Sequence, residues 1–455
     1  MTHGNERASE FHGPNRLVRS SRLILIAFST VFFSRTLETL GAPALINFAH
    51  FGTIPAACLL AIVSTKTRDY HQIRSSTLLL SGLVMLFFMI VFSAFVNSAG
   101  LINVILSTLL LGEPFLLLLA ITCLPLTVRS FLLFRGWILA FAASNLLLAL
   151  FQRYVLQLHL SRSIAGWDLI QGVFYFSGAG QVVSASVSIS FALYYFISER
   201  KQGLWLRGSI VSAALLQIII SDTKQVFLAL FIATLLLVFL KITDVVKALQ
   251  YVIYFLLAAG ALYWAAFNVF PNTEILYWAN FDLIRQGLEL KFSVFSIFQT
   301  HYDSVLNWLF GLGPGHTVGR LGGWMIRDYQ SLLQPFGVTS SSVSTEVLAA
   351  VRAHPLGAKS SMWSPLFGWA GIWGDLGLFG LLSYLFICFI TWMHFCKDDF
   401  SKLMLYSVFA FGLIFSQMEE PGYMMSVITI VGLRWHELRL KKEQVRKERH
   451  QLIEE

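Results

Sequence analysis

Charge is scarce in this chain. Only 13% of its 455 residues are Asp, Glu, Lys or Arg, against about 25% in soluble domains. That deficit excludes an ordinary water-soluble fold of this size. Cysteine is scarcer still: Cys58, Cys123, Cys388 and Cys396 all lie in or beside apolar runs. None has metal-ligand spacing, so neither a zinc site nor a disulfide framework organises the chain. No arrays of three His or of paired Asp with metal spacing occur either, and no metal or other cofactor is expected.

What fills the chain is apolar. Hydrophobic residues make up 56% of it, and mean hydropathy is +0.68. Runs of roughly 18 or more apolar residues recur, the length needed to cross a bilayer as a helix. The expected fold is therefore an all-α integral membrane protein with about 12 transmembrane helices. The formal net charge is +8. Nucleic acid is not needed to explain it, because Lys and Arg gather in short loops and at the termini, as membrane topology requires.

The pattern divides the chain into five parts. Residues 1–22 are a basic tail. Residues 23–270 hold spans one to nine, of which the first is short (Leu23–Phe33) and is broken by Ser34-Arg35-Thr36-Leu37-Glu38. Span four contains Glu113-Pro114, and span nine covers Tyr251–Phe270. Residues 271–373 are one large, partly helical loop between spans nine and ten. Residues 374–433 hold spans ten to twelve, the last a short Tyr423–Leu433, and 434–455 form a second basic tail. Most Lys and Arg fall on the side of the termini. Both ends are thus expected in the cytoplasm and the large loop outside. The tail from Arg434 to Arg449 reads as a helix near anionic lipid.

The large loop is the one long polar break. Leu288, Phe292, Phe295 and Phe298 recur at three and four residues, which predicts an amphipathic helix over Leu288–Phe310 with Lys291, His301 and Asp303 on or near its polar side. Gly311-Leu312-Gly313-Pro314-Gly315-His316 ends that helix, since Gly supplies positive φ and Pro forbids continuation. It lacks the Lys-Ser/Thr ending of a nucleotide-binding P-loop. The polar run Thr339–Thr345 is expected to be irregular, with Arg352 and His354 after it. A site built from Arg and Lys suits a phosphate leaving group, because Arg grips phosphate oxygens with its fork and Lys acts as a point charge.

Three stretches carry a resemblance. Ser221-Asp222-Thr223-Lys224 opens a helix after a tight turn. A basic residue, a helix and a Gly-x-Gly-x-Gly turn follow one another over Leu290–Gly315. Gly374-Asp375-Leu376-Gly377-Leu378-Phe379-Gly380 opens the next span. In these motifs, and in its one large loop after span nine, the chain resembles the O-antigen polymerase and O-antigen ligase superfamily over about Phe131–Thr391. Lys224 and Lys291 stand where that family has Arg. Family ligases carry a His-Asn pair where this chain has Leu366-Phe367, which favours a polymerase over a ligase.

The resemblance implies metal-independent glycosyl transfer at the outer leaflet of the bacterial inner membrane. The donor would be a glycan on undecaprenyl pyrophosphate. The surrounding membrane lipids, a chain-length regulator and a flippase would be its partners. Lys224, Lys291, Arg285, Arg153 and Arg162 are the expected pyrophosphate ligands. Arg320, Arg327 and Arg352 are expected to bind acidic or phosphate-bearing parts of the substrates. The general base is open among His354, Asp303, His301 and His316, with Glu38 and Asp375 behind them. A ligase, or a 12-span transporter of polysaccharide or lipid, is the alternative.

Overall fold

The computed structural model describes residues 14–65, 69–161, 166–176, 179–241, 280–359 and 361–454, with isolated positions between 246 and 260. Arg162, residues 1–13 and all of span nine except Ile253, Leu257 and Gly260 lie outside the described residues. Among the described residues the chain is 82% helical and has no strand. This is the outcome lipid imposes on a spanning segment, because a helix satisfies its own backbone polar groups.

Among the described residues the first part of the chain forms eight α-helices: α1 (Pro14–Thr39), α2 (His50–Ser64), α3 (Tyr70–Val96), α4 (Leu101–Cys123), α5 (Val128–Tyr154), α6 (Gly180–Ser198), α7 (Leu204–Ile220) and α8 (Lys224–Phe239). The segment over residues 280–367 contributes α9 (Phe281–Thr300), α10 (Val305–Phe310) and α11 (Ser342–Ala353). Then come α12 (Gly368–Ile390), α13 (Asp399–Ile414) and α14 (Pro421–Glu454). Among the described residues, six helical stretches are long and apolar enough to cross a membrane: Ala44–Val63, Tyr70–Val96, Leu101–Cys123, Val128–Tyr154, Gly180–Ser198 and Gly368–Phe395.

The bundle is built around the first half of α14. Its Tyr423, Met424, Met425, Val427, Ile428, Ile430, Val431 and Leu433 are all enclosed, and it packs on α4, α6 and α13. Helix α6 approaches closely because Ser184, Ser186, Ser188 and Ser190 are small and buried. Apolar burial does not drive helices together in lipid, so such tight packing and interhelical hydrogen bonds carry the association. Asn145 on α5 supplies one, donating to the Ser184 carbonyl and the Ser188 hydroxyl. At one end of the bundle Glu437 on α14 accepts from Arg135, Arg434 and Tyr194, which joins α5, α6 and α14.

Three expectations need correction. Helix α1 does not break at Ser34–Glu38 but runs on to Thr39. Arg35 and Glu38 lie three residues apart on one face and pair at 3.1 Å, so the polar groups are satisfied within the helix. The amphipathic helix is two helices, parted by a turn at His301–Ser304. The polar run near Thr339 is irregular only as far as Ser341, whose side chain caps α11 by accepting from Val343 N–H.

Candidate functional site

The Gly-x-Gly-x-Gly turn is bound to the start of α12. Gly311, Gly313 and Gly315 all have positive φ, at 74°, 108° and 74°, which is why no side-chain-bearing residue serves there. Leu312 and Gly313 donate to the carbonyls of Gly374 and Asp375. The Asp375 carboxylate accepts from Gly315 N–H, Thr317 N–H and the Thr317 hydroxyl at 2.8, 2.8 and 2.6 Å. Gly377 has φ 66° and kinks α12. A methyl on Gly377 would sit 2.5 Å from Gly311 N. From the α3–α4 side, Asn97 donates to Gly311 O, and Asn103 to Pro314 O and Thr339 O.

This anchoring delivers Arg320 into the bundle. Its backbone N–H donates to Glu419 Oε2 at 2.7 Å. Its guanidinium pairs with Glu420 and lies 4.5 Å from the Trp324 ring centre. A small cavity beside it is lined by Arg35, Asn47, His50, Arg320, Trp324 and Tyr329, among others. Arg35 and Asn47 both donate to Glu38, at 3.1 and 2.7 Å. Behind the cavity, His50 Nδ1 is 2.9 Å from Glu113 Oε2.

Electrostatics mark this as a costly place. Burial pulls the Arg320 guanidinium down to about 9, and the neighbouring charge of Arg35 adds to the effect. At neutral pH Arg320 remains charged. Burial pushes the Glu419 carboxyl up to about 8 against the Arg320 N–H it accepts, and Asp375 adds to the rise. Both guanidiniums at this recess are paired with a carboxylate, Arg35 with Glu38 and Arg320 with Glu420, and a group such as a phosphate or diphosphate, with charge spread over several oxygens, has the chemistry to take a carboxylate's place.

Of the candidate site residues read from the sequence, Arg320 lines this cavity, and the lesser candidate Glu38 holds two of its lining residues, Arg35 and Asn47. Lys291 is buried rather than on the polar face of α9. The buried stripe is Gly287, Leu290, Lys291, Val294 and Phe298, while Leu288 and Phe292 face outward. Its ammonium donates to Met362 O, Ser364 O and Ile414 O, and lies 5.0 Å from the Phe367 ring centre. With no carboxylate to pair with, burial lowers it to about 7.

His316 is buried with both ring nitrogens engaged, by Leu312 O and the Thr339 hydroxyl. Burial holds it below the usual histidine range. His301 pairs with Glu346 at the surface, and Asp303 is exposed between α9 and α10. His354 accepts from Leu356 N–H. Lys224 opens α8 beside Asp222, at 3.0 Å. Arg285 and Arg327 are exposed next to Glu289 and Asp328, and Arg352 is exposed in the last turn of α11. Arg153 ends α5 near the Tyr154 ring.

Arg35, Asn47, His50, Glu113, Glu419 and Tyr329 were not among those candidates. A signal for two of them was present: Glu113 is an acid inside an apolar run, and Glu419 sits with Glu420 in a short turn between two such runs. Compared with known proteins, the chain matches no family model and no curated relative.

Proposed function

We propose that this chain is a membrane polysaccharide polymerase of the O-antigen or exopolysaccharide type. It sits in the bacterial inner membrane with about 12 spans, both termini cytoplasmic and residues 271–373 at the outer face. It extends a glycan by transfer from an undecaprenyl-pyrophosphate-linked repeat unit. The observation that carries the reading is the meeting of Arg35 and Arg320 at one recessed cavity. The motifs of the large loop, which resemble the polymerase and ligase superfamily, give it its class.

In this reading the two guanidiniums grip the pyrophosphate of the donor. As the bond between the sugar and the pyrophosphate breaks, negative charge grows on the departing oxygen. Fixed cations in a water-poor recess stabilise that charge more in the transition state than before it. Glu420 neutralises Arg320 while no phosphate is bound, so donor binding exchanges one anion for another. Asn47 and Tyr329 supply polar groups for the remaining oxygens or the first sugar.

The test is the polysaccharide profile of a deletion strain with its lipid-linked intermediates analysed alongside. The polymerase reading expects polymer to vanish and single repeat units to accumulate on the carrier. Full-length polymer stranded on its carrier would make the protein a ligase. Unchanged polymer and intermediates would remove the glycan assignment and favour a transporter.

A further inference from the structure

A second ionisable pair lies beside the arginine cavity. His50 is the first residue of α2, and Glu113 stands in α4 immediately before Pro114. His50 is 5% exposed and Glu113 only 1%. Ionisable side chains this deep among membrane helices are expensive, and those retained serve ion or proton chemistry or bind ligands. The pair is not consumed by the packing around it. Glu113 Oε1 is buried with no hydrogen-bond partner, and the His50 ring also lines the cavity shared by Arg35 and Arg320.

The orientation matters. With Glu113 ionised its carboxylate only accepts, and His50 Nδ1 then carries the proton at the 2.9 Å contact while Nε2 keeps its lone pair. An imidazole fixed in this tautomer by an acid, next to an anion site, is the arrangement of a general base. We propose that His50 takes the proton of the acceptor hydroxyl during transfer, with Glu113 as its positioning residue. The assignment rests on the polymerase reading above.

The step balances. The acceptor O–H bond breaks and its proton passes to His50 Nε2. The acceptor oxygen forms a bond to the anomeric carbon of the donor. The bond from that carbon to the pyrophosphate oxygen breaks, and its electron pair leaves with the undecaprenyl pyrophosphate, held by Arg35 and Arg320. Glu113 stabilises the imidazolium until the proton is passed to the departing pyrophosphate or to solvent.

The rivals are less suited. His316 has both nitrogens occupied. Glu419, raised to about 8, is mostly protonated at neutral pH and is a poor proton acceptor there. The groups around the pair are Cys58 on α2, within electrostatic reach of Glu113, and Arg35, Arg320 and Tyr329, which line the cavity with His50; Glu38 and Glu419-Glu420 stand one contact further off, on Asn47 and on Arg320.

The test uses the full chain in lipid nanodiscs, supplied with lipid-linked repeat units extracted from the deletion strain. Polymer formation is followed against pH, and binding of inorganic pyrophosphate is measured separately. His50→Gln should slow polymerisation by about 100- to 10,000-fold. It should leave pyrophosphate affinity within about threefold and abolish the acidic limb of the pH–rate profile. His50→Ala should be partly rescued by added imidazole. Glu113→Gln can donate to Nδ1 and impose the wrong tautomer, so it should slow turnover at least about tenfold with pyrophosphate binding intact. A near-normal rate with an unchanged acidic limb in His50→Gln would overturn the assignment and leave the polymerase reading standing. Loss of pyrophosphate binding in both variants would make the pair a structural support and overturn it too. A wild-type chain that neither binds pyrophosphate nor polymerises would overturn the underlying reading.

Discussion

The carboxylate of Asp375 takes the backbone N–H of Thr317 at 2.8 Å on one oxygen, and that of Gly315 at the same distance on the other. A buried side chain of a membrane helix thus shapes the turn that precedes Arg320. Asp375→Ala strands these donors, at a cost of about 1–3 kcal/mol for each unsatisfied group. The expected outcome is a lower apparent Tm in detergent together with loss of polymer. An unchanged Tm would show that the turn holds itself.

Arg320 and Glu420 form a buried pair, and removing one partner leaves the other uncompensated. Arg320→Gln should cost about 3–5 kcal/mol of stability. Arg320→Gln combined with Glu420→Gln should recover most of the stability but not the pyrophosphate binding. Arg35→Gln should weaken pyrophosphate binding with little change in Tm. Calorimetry on the purified variants checks all three.

Lys291 gives a pH signature. Its value in the fold, about 7, lies below the ordinary 10.5. The folded state therefore disfavours the bound proton. Stability from this site is fully present above 10.5, falls with decreasing pH across that window, and is level below about 7. Lys291→Met should flatten the dependence of apparent Tm on pH between those limits. A slope identical to the wild type would place the cause elsewhere.

Glu419 runs the other way. Its value rises from 4.5 to about 8 in the fold, so the folded state holds the proton more tightly. Stability is then full below 4.5, declines as pH rises through the window, and is level above about 8. Glu419→Gln resembles the protonated form and should remove that decline while matching the wild type at pH 5. Thermal melts across pH with both variants separate the two sites.

The helical, multi-pass character was legible because spans must be apolar along their whole length. The positive φ of Gly311, Gly313 and Gly315 was legible as well, since composition dictates it locally. The buried stripe of α9 was not. Leu288, Phe292 and Phe295 have the stronger apolar signal, yet Lys291 is on the inner side because three carbonyls, one ending α13, receive its protons. The cavity was legible only in part. Arg320 stood out in a polar segment, but Arg35 and His50 acquire meaning through partners 285 and 63 positions away in the chain, Arg320 and Glu113. No local pattern reports such a meeting.

Asn103, on the first turn of α4, holds two separate parts of the segment over residues 280–367, at Pro314 and at Thr339. Asn97, which caps α3, and Asp375 hold it at Gly311 and Gly315. That segment is therefore not a cassette. Transplanted between proteins, it would arrive without the addresses that position it, which are written at the end of α3 and in α4 and α12. Variation in such a chain has to proceed by changes made in concert in the segment and in these helices, or at cavity-lining positions that none of these contacts use.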